Sequence, residues 1–111
     1  MPGPIQRFGS IVKVRPGKFE EYRTLHAAVW PTVLATLAAC HVSNYSIFHR
    51  DGLLFSYMEY SGDDWAADQA KMAADPETQR WWTYTDPCQQ PLDTAAPGEN
   101  WSPMQSVFFM A

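Results

Sequence analysis

The spacing of apolar residues changes from strand-like to helical and back along this chain, and this order constrains the fold more than any single residue. Residues 6–14 alternate between apolar and polar side chains, as a half-buried strand does. Residues 18–39 instead carry apolar side chains at the i, i+3, i+4 and i+7 spacing of one helix face. Pro31 lies within this stretch, so we expect a kink or a new helical segment there.

A hairpin and a second helix are predicted in the middle of the chain. Residues 42–50 and 53–60 alternate as strands, and Asp51-Gly52 between them is a strong signal for a two-residue hairpin turn. A helix is then predicted from about residue 64 to residue 74. Its first residues are acidic, which the positive end of the helix dipole favours.

The last third of the chain contains a short helix, a long loop and a predicted closing strand. Asp75-Pro76 is typical of an N-cap followed by proline at the first helical position, so we expect a helix through Trp81 and Trp82 to about Tyr84. Residues 87–103 are rich in Pro, Asp, Asn and Gly and are predicted to form a long loop, a feature that is often functional. Residues 104–110 are predicted to be the last strand.

The element order β-α-β-β-α-β predicts one α+β domain over residues 1–111, with the antiparallel sheet of the ferredoxin-like fold. Helices in this fold cover only one sheet face. The strands nevertheless carry apolar residues on both faces, since Phe55 and Tyr57 alternate with Leu54 and Met58. A second apolar face would be a large exposed patch. We therefore expect a homodimer that packs sheet against sheet, as in dimeric α/β barrels.

Charge and cysteine usage exclude several classes of partner. The formal net charge is −4 and no run of Lys or Arg occurs, so we expect neither nucleic-acid nor membrane binding. The sequence starts without the apolar stretch of a signal peptide and contains no apolar run of about 18 residues, so we expect a cytoplasmic protein. Cys40 and Cys88 lack metal-ligand spacing and are expected to be buried thiols.

His26 is the main candidate for acid–base chemistry. It follows Tyr22 by four residues, so both side chains project from one helix face. Phe19, Val29 and Val33 share that face, which is therefore expected to point at the sheet. An imidazole, with an ordinary pKa near 6.5, can both give and take protons near neutrality. A structural histidine is the alternative interpretation of the same pattern.

The aromatic residues, 14% of the chain, suggest a ligand pocket. Trp81 and Trp82 are adjacent on a predicted helix and diverge by about 100°, so one ring can enter the core while the other lines a cleft. Tyr45 alternates on the same strand face as Ile47, where it could be a core residue or a ligand contact. A pocket of Tyr, His and Trp suits a neutral sugar, whose C–H groups pack on indole and whose hydroxyls need hydrogen bonds.

Metal and cofactor chemistry find little support. His26, His41 and His49 could form a metal site only if the fold gathered them. The sequence has no GxGxxG, Walker or GxSxG motif, which argues against nucleotide cofactors and serine-hydrolase chemistry. We therefore expect no metal and no cofactor.

Several segments, in order along nearly the whole chain, resemble signatures of the L-rhamnose mutarotase family. They are the run EEYRTLHAAVWP at residues 20–31, NYSIF at residues 44–48, Asp75-Pro76 followed by QRWW at residues 79–82, and VFF at residues 107–109.

The resemblance implies a dimeric ferredoxin-like isomerase that interconverts the α and β anomers of a 6-deoxyhexose without metal or cofactor. The proton donor of the family is a helix histidine, which corresponds here to His26. The sugar-contacting residues of the family correspond to Tyr22, Tyr45, Trp81 and Trp82. Residues 85–89 are closer to fucose-type relatives, so the expected sugar is L-rhamnose or L-fucose.

Two alternatives belong to other functional classes. Ferredoxin-like dimers include small monooxygenases and haem-binding proteins, and a haem site here would need His26 or His49 as axial ligand. A non-catalytic dimer that only binds a sugar is the second alternative. For a mutarotase, the base at the anomeric hydroxyl is left open between Asp86, a tyrosine and a water molecule.

Overall fold

The structure, a computed structural model, describes residues 4–111 as one sheet with helices on one side. The strands are β1 (Gln6–Val14), β2 (Val42–Arg50), β3 (Leu53–Tyr60), β4 (Gln89–Gln90) and β5 (Ser102–Met104). The helices are α1 (Phe19–Ala27), α2 (Pro31–Ala39), α3 (Trp65–Ala74) and α4 (Pro76–Thr85), and a 3₁₀ turn covers Asp86–Cys88.

The sheet is antiparallel, with strand order β2-β3-β1-β4. The two-residue turn at Asp51 and Gly52, both with positive φ, joins β2 to β3 and suits the twist of a hairpin. β1 then pairs with β3 along nearly its whole length, from Gln6 opposite Tyr60 to Lys13 opposite Leu53. This order confirms the predicted α+β, ferredoxin-like fold.

Local signals determine where the helices begin. Pro31 occupies the first position of α2 and separates it from α1, so the predicted helical stretch is two helices. The Asp64 carboxylate accepts a hydrogen bond from the backbone N–H of Ala67 and caps α3. The Asp75 carboxylate caps α4 in the same way, by accepting from the backbone N–H of Thr78 at 2.9 Å.

The core lies between the helices and one face of the sheet. One buried cluster joins α1 to β1 and β3, and it contains Val12, Val14, Tyr22, Leu54 and Cys88. A second buried cluster contains Cys40, Val42, Tyr60 and Met72. Both cysteines are buried and free, as predicted. In the described part of the chain, no helix is long and apolar enough to cross a membrane.

The prediction of a closing strand over residues 104–110 is wrong. The edge of β1 is instead shared by two short strands: β4 pairs with Lys13 and Val14, and β5 pairs with residues 9–11. The chain therefore joins the sheet earlier than predicted, within the predicted loop, and pairing ends at Met104. Residues 105–111 form no strand, and Val107 and Phe108 are almost fully exposed, since no apolar surface among the described residues covers them.

Candidate active site

Helix α1 brings Tyr22 and His26 together. Their rings stack with centroids 4.1 Å apart, one helical turn from each other. The Nδ1–H of His26 donates a hydrogen bond to the backbone carbonyl oxygen of Tyr22 at 2.9 Å. This contact holds the ring and uses one of its two nitrogens, so Nε2 is the nitrogen that remains for a ligand.

Helix α4 supplies the two tryptophans, which diverge as predicted. Trp81 is 6% exposed, and its ring meets the edges of His26 and Trp30 at centroid distances of 5.5 and 5.2 Å. Trp82 is 40% exposed. Both line the same cavity, Trp81 as part of the packed wall and Trp82 at its open side.

A β-bulge in β2 places Tyr45 at the cavity. Ser43 pairs with Glu59 and Ser46 with Tyr57, so two residues of β2 oppose one residue of β3. Asn44, at the bulge, has a positive φ of 48° and donates a hydrogen bond to Glu59. Tyr45 and Ile47 both line the cavity, so they share one sheet face as the alternation predicted, and the structure shows that this is the face toward the helices.

The cavity lies between the sheet and the helices and has a volume of about 890 Å³, within the range of small-molecule sites. Its walls are mostly apolar and aromatic. The titratable side chains among the described residues that line it are Tyr22, His26, Tyr45 and Asp86, and no Lys or Arg lines it. The structure thus brings all five predicted site residues to one cavity that lacks a cation for an anionic ligand.

Burial determines the protonation of these groups. It lowers the pKa of His26 below 6.5, although the hydrogen bond to the Tyr22 carbonyl acts in the opposite direction. Burial raises the pKa of Tyr22 and of Tyr45, so both phenols keep their protons at neutral pH. Burial also raises the pKa of Asp86. The site therefore combines a readily deprotonated imidazole, two neutral hydroxyls and one carboxyl group.

Sequence reasoning missed several residues that line the cavity. They are Ser10 and Ser56 on the sheet, Gln89 on β4, and Asn100 and Trp101 at the end of the long loop. Gln89 donates a hydrogen bond to the Tyr22 hydroxyl and accepts one from Asn100. Single polar residues in loops carry no periodic signal. The length of the loop was the available indication that this segment serves the site.

The other two histidines lie outside this arrangement. His41 contacts the buried carboxylate of Asp68 at 3.1 Å, and His49 stacks on Phe19 with ring centroids 3.8 Å apart. Within residues 4–111, no group of three His, Cys, Asp or Glu side chains could hold a metal ion. The three histidines are therefore not gathered into one site.

Comparison with known proteins identifies the family. The family model of L-rhamnose mutarotase matches residues 7–110. The chain belongs to the L-rhamnose mutarotase family. It is 32% identical over 109 residues to an L-rhamnose mutarotase of Listeria monocytogenes serotype 4b, covering 96% of this chain and 100% of that one. It is 30% identical over 107 residues to that of Shouchella clausii, covering 95% and 98%.

Solved structures share the fold. The crystal structure of an L-rhamnose mutarotase from Formosa agariphila has a TM-score of 0.74 at 24% identity, covering 96% of this chain and 99% of that one. Tetracenomycin F2 cyclase from Streptomyces glaucescens has a TM-score of 0.69 at 14% identity, covering 96% and 97%. The curated relatives are named for L-rhamnose, so of the two sugars expected from the sequence, L-fucose is not favoured.

Proposed function

We propose that this member of the L-rhamnose mutarotase family is a carbohydrate isomerase that interconverts the α and β anomers of L-rhamnose. The observation that carries the proposal is the placement of His26. Its Nδ1 is tied to the backbone, and its ring borders a neutral cavity with aromatic walls. A neutral ring with several hydroxyls matches such a cavity better than a charged ligand does.

His26 is proposed to exchange a proton with the ring oxygen of the sugar through Nε2. Opening of the ring needs a proton on the ring oxygen and removal of one from the anomeric hydroxyl. Rotation about C1–C2 and closure on the other aldehyde face complete the exchange, and the protons then move back. A lowered pKa makes the imidazolium a stronger acid toward a weakly basic ether oxygen.

The remaining predicted residues are proposed to bind the sugar. Trp81 and Trp82 offer indole faces to the C–H groups of the pyranose. Tyr22 and Tyr45 offer neutral hydroxyls for the hydroxyl groups of the ring. These contacts orient the sugar and leave the proton transfer to His26.

Asp86 is the candidate that the cavity favours for the base at the anomeric hydroxyl. Among the described residues it supplies the only carboxylate that lines the cavity. Its pKa is raised by burial, so the carboxylate is a stronger base than an exposed aspartate. A tyrosine is a weaker base because burial keeps both phenols neutral, and a neutral water molecule is likewise a weaker base than a carboxylate.

A homodimer through the sheet is proposed for the assembly. On the sheet face away from the helices, Ile11 and Phe48 both lie opposite Phe55, and Phe48 is 65% exposed. The helices cover only the other face. A second copy presents the same apolar surface, so packing of two outer faces buries both.

The charge of the protein bears on its proposed partners. With a net charge of −4 and no cluster of Lys or Arg, the protein has no electrostatic means of holding nucleic acid or an anionic membrane. The proposed partner is a monosaccharide, and the proposed enzyme is cytoplasmic and works without metal or cofactor.

Saturation-transfer NMR on L-rhamnose tests the function, because it measures exchange between the α and β resonances at equilibrium. The wild-type protein should accelerate this exchange, and His26→Ala should lower the rate on the order of 10²–10⁴-fold. His41→Ala, at a half-exposed histidine that lines no cavity with His26, is the matched control. Exchange at the spontaneous rate with bound L-rhamnose would instead support the non-catalytic module. A Soret shift on mixing with haemin would support the haem alternative.

A further inference from the structure

A chain of side-chain hydrogen bonds leads from the long loop to the Tyr22 hydroxyl. Asn100 Nδ2 donates to Gln89 Oε1 at 2.7 Å, and Gln89 Nε2 donates to the Tyr22 hydroxyl oxygen at 3.3 Å. Gln89 is 5% exposed and Tyr22 is 3% exposed, so water does not compete freely for these groups. All three side chains border the cavity.

The direction of these two hydrogen bonds determines whether the Tyr22 hydroxyl can donate a hydrogen bond to a ligand. A phenol has one proton to donate, and its oxygen can also accept. Because the Gln89 amide N–H already occupies the oxygen as a donor, the phenol proton is not used for Gln89. We propose that Asn100 and Gln89 are positioning residues that make Tyr22 a hydrogen-bond donor to a sugar hydroxyl.

Asn100 holds the Gln89 amide in the orientation that the structure shows. The amide of Gln89 can present either its oxygen or its nitrogen to Tyr22, and the two choices give the phenol opposite roles. The donated N–H of Asn100 holds the Gln89 oxygen, so the Gln89 nitrogen faces the phenol. The role of Tyr22 as a donor thus depends on Asn100, which lies eleven residues after Gln89 in the sequence.

The long loop is anchored so that Asn100 stays in place. β4 and β5, at the two ends of the loop, both pair with β1. Near Asn100, the Ser102 hydroxyl donates to Glu99 at 2.7 Å, and the Glu99 backbone N–H donates to the carbonyl of Ala96 at 2.9 Å. These contacts hold the end of the loop, and with it Asn100, beside Gln89.

Two conservative substitutions are expected to reverse the direction of the hydrogen bond between residue 89 and Tyr22. In Gln89→Glu, the carboxylate accepts a hydrogen bond from the Tyr22 O–H, which is then no longer available to the sugar. In Asn100→Asp, a carboxylate in place of the donor attracts the Gln89 nitrogen and turns its oxygen toward Tyr22, with the same result. Because the lost contact is made before and during ring opening, we expect KM for L-rhamnose to rise about tenfold while kcat stays within about twofold.

Gln90→Glu is the matched control, since it adds the same charge one residue further along, outside the residues that line the cavity. It should leave KM unchanged. If Asn100→Asp also left KM unchanged, the hydrogen bonds would run in the opposite direction and the proposal would be overturned.

Combining each of these substitutions with Tyr22→Phe distinguishes an effect on the Tyr22 hydroxyl from a general effect of the added charge. In the Tyr22→Phe background, Gln89→Glu and Asn100→Asp should raise KM no further, because no phenol proton is left to redirect. An equal further rise would overturn the proposal. The inference rests on the proposed function, which fails separately if the wild-type protein does not accelerate anomer exchange.

Discussion

The Nδ1–H of His26 ends on the backbone carbonyl of Tyr22, 2.9 Å away, in the same turn of α1 that stacks the two rings. The imidazole is thus tied to the backbone of its own helix. It also assigns the proton of the neutral ring to Nδ1. A single contact therefore fixes the ring and leaves Nε2 as the nitrogen for proton exchange.

Burial of this ring predicts its titration. The pKa of His26 should lie below 6.5, and a ¹H–¹³C NMR titration of the histidine ring signals measures it. Because the unfolded chain binds the proton more tightly, the free energy of unfolding should fall as pH drops below about 6.5 and level off below the folded-state pKa. His26→Gln should remove this pH dependence. A folded-state pKa at or above 6.5 would contradict the assignment of a desolvated ring.

Asp86→Asn tests the base. If Asp86 accepts the anomeric proton, anomer exchange should slow on the order of 10²–10⁴-fold in this variant. In the wild type, exchange should also fall as pH drops through the pKa of Asp86, which burial places above 3.8, since only the carboxylate is a base. Asp93→Asn is the control, because Asp93 is exposed and pairs with Lys13. An unchanged rate in Asp86→Asn would mean that a tyrosine or a water molecule, and not Asp86, is the base.

The adjacent tryptophans should respond differently to truncation. Trp81 is buried against Trp30 and His26, so Trp81→Ala should lower the free energy of unfolding by about 3–5 kcal/mol. Trp82 is 40% exposed, so Trp82→Ala should cost about 1 kcal/mol or less and instead raise KM for L-rhamnose. Urea denaturation and saturation-transfer NMR give the two quantities. Equal losses of stability would contradict the division of roles.

Much of the fold was predictable because its local signals agree with the tertiary structure. Pro31 began a helix, Asp51-Gly52 formed the hairpin turn, and Asp75 capped α4. The edge of the sheet was not predictable. β4 and β5 are only two and three residues long, and their place is determined by pairing with β1 rather than by their own pattern.

The site residues, too, were predictable only in part. Tyr22 and His26 were predictable as a pair because helical spacing places residues i and i+4 on one face. Gln89 and Asn100 were not, because the contact between them depends on how the loop returns to β1. The face of Tyr45 relative to the helices also needed the structure, since alternation alone separates two faces without saying which one is covered.

The exposed face of the sheet gives the last prediction. Sedimentation equilibrium should show a mass of twice the 12.6 kDa chain at micromolar concentration. Phe48→Asp places a charge on the outer sheet face of each copy, within the proposed interface, and should weaken dimerisation at least about tenfold. Leu34→Asp makes the same change at a similarly exposed leucine of α2 and should leave the mass unchanged. A monomeric wild type, or equal weakening by both substitutions, would contradict packing through the sheet faces.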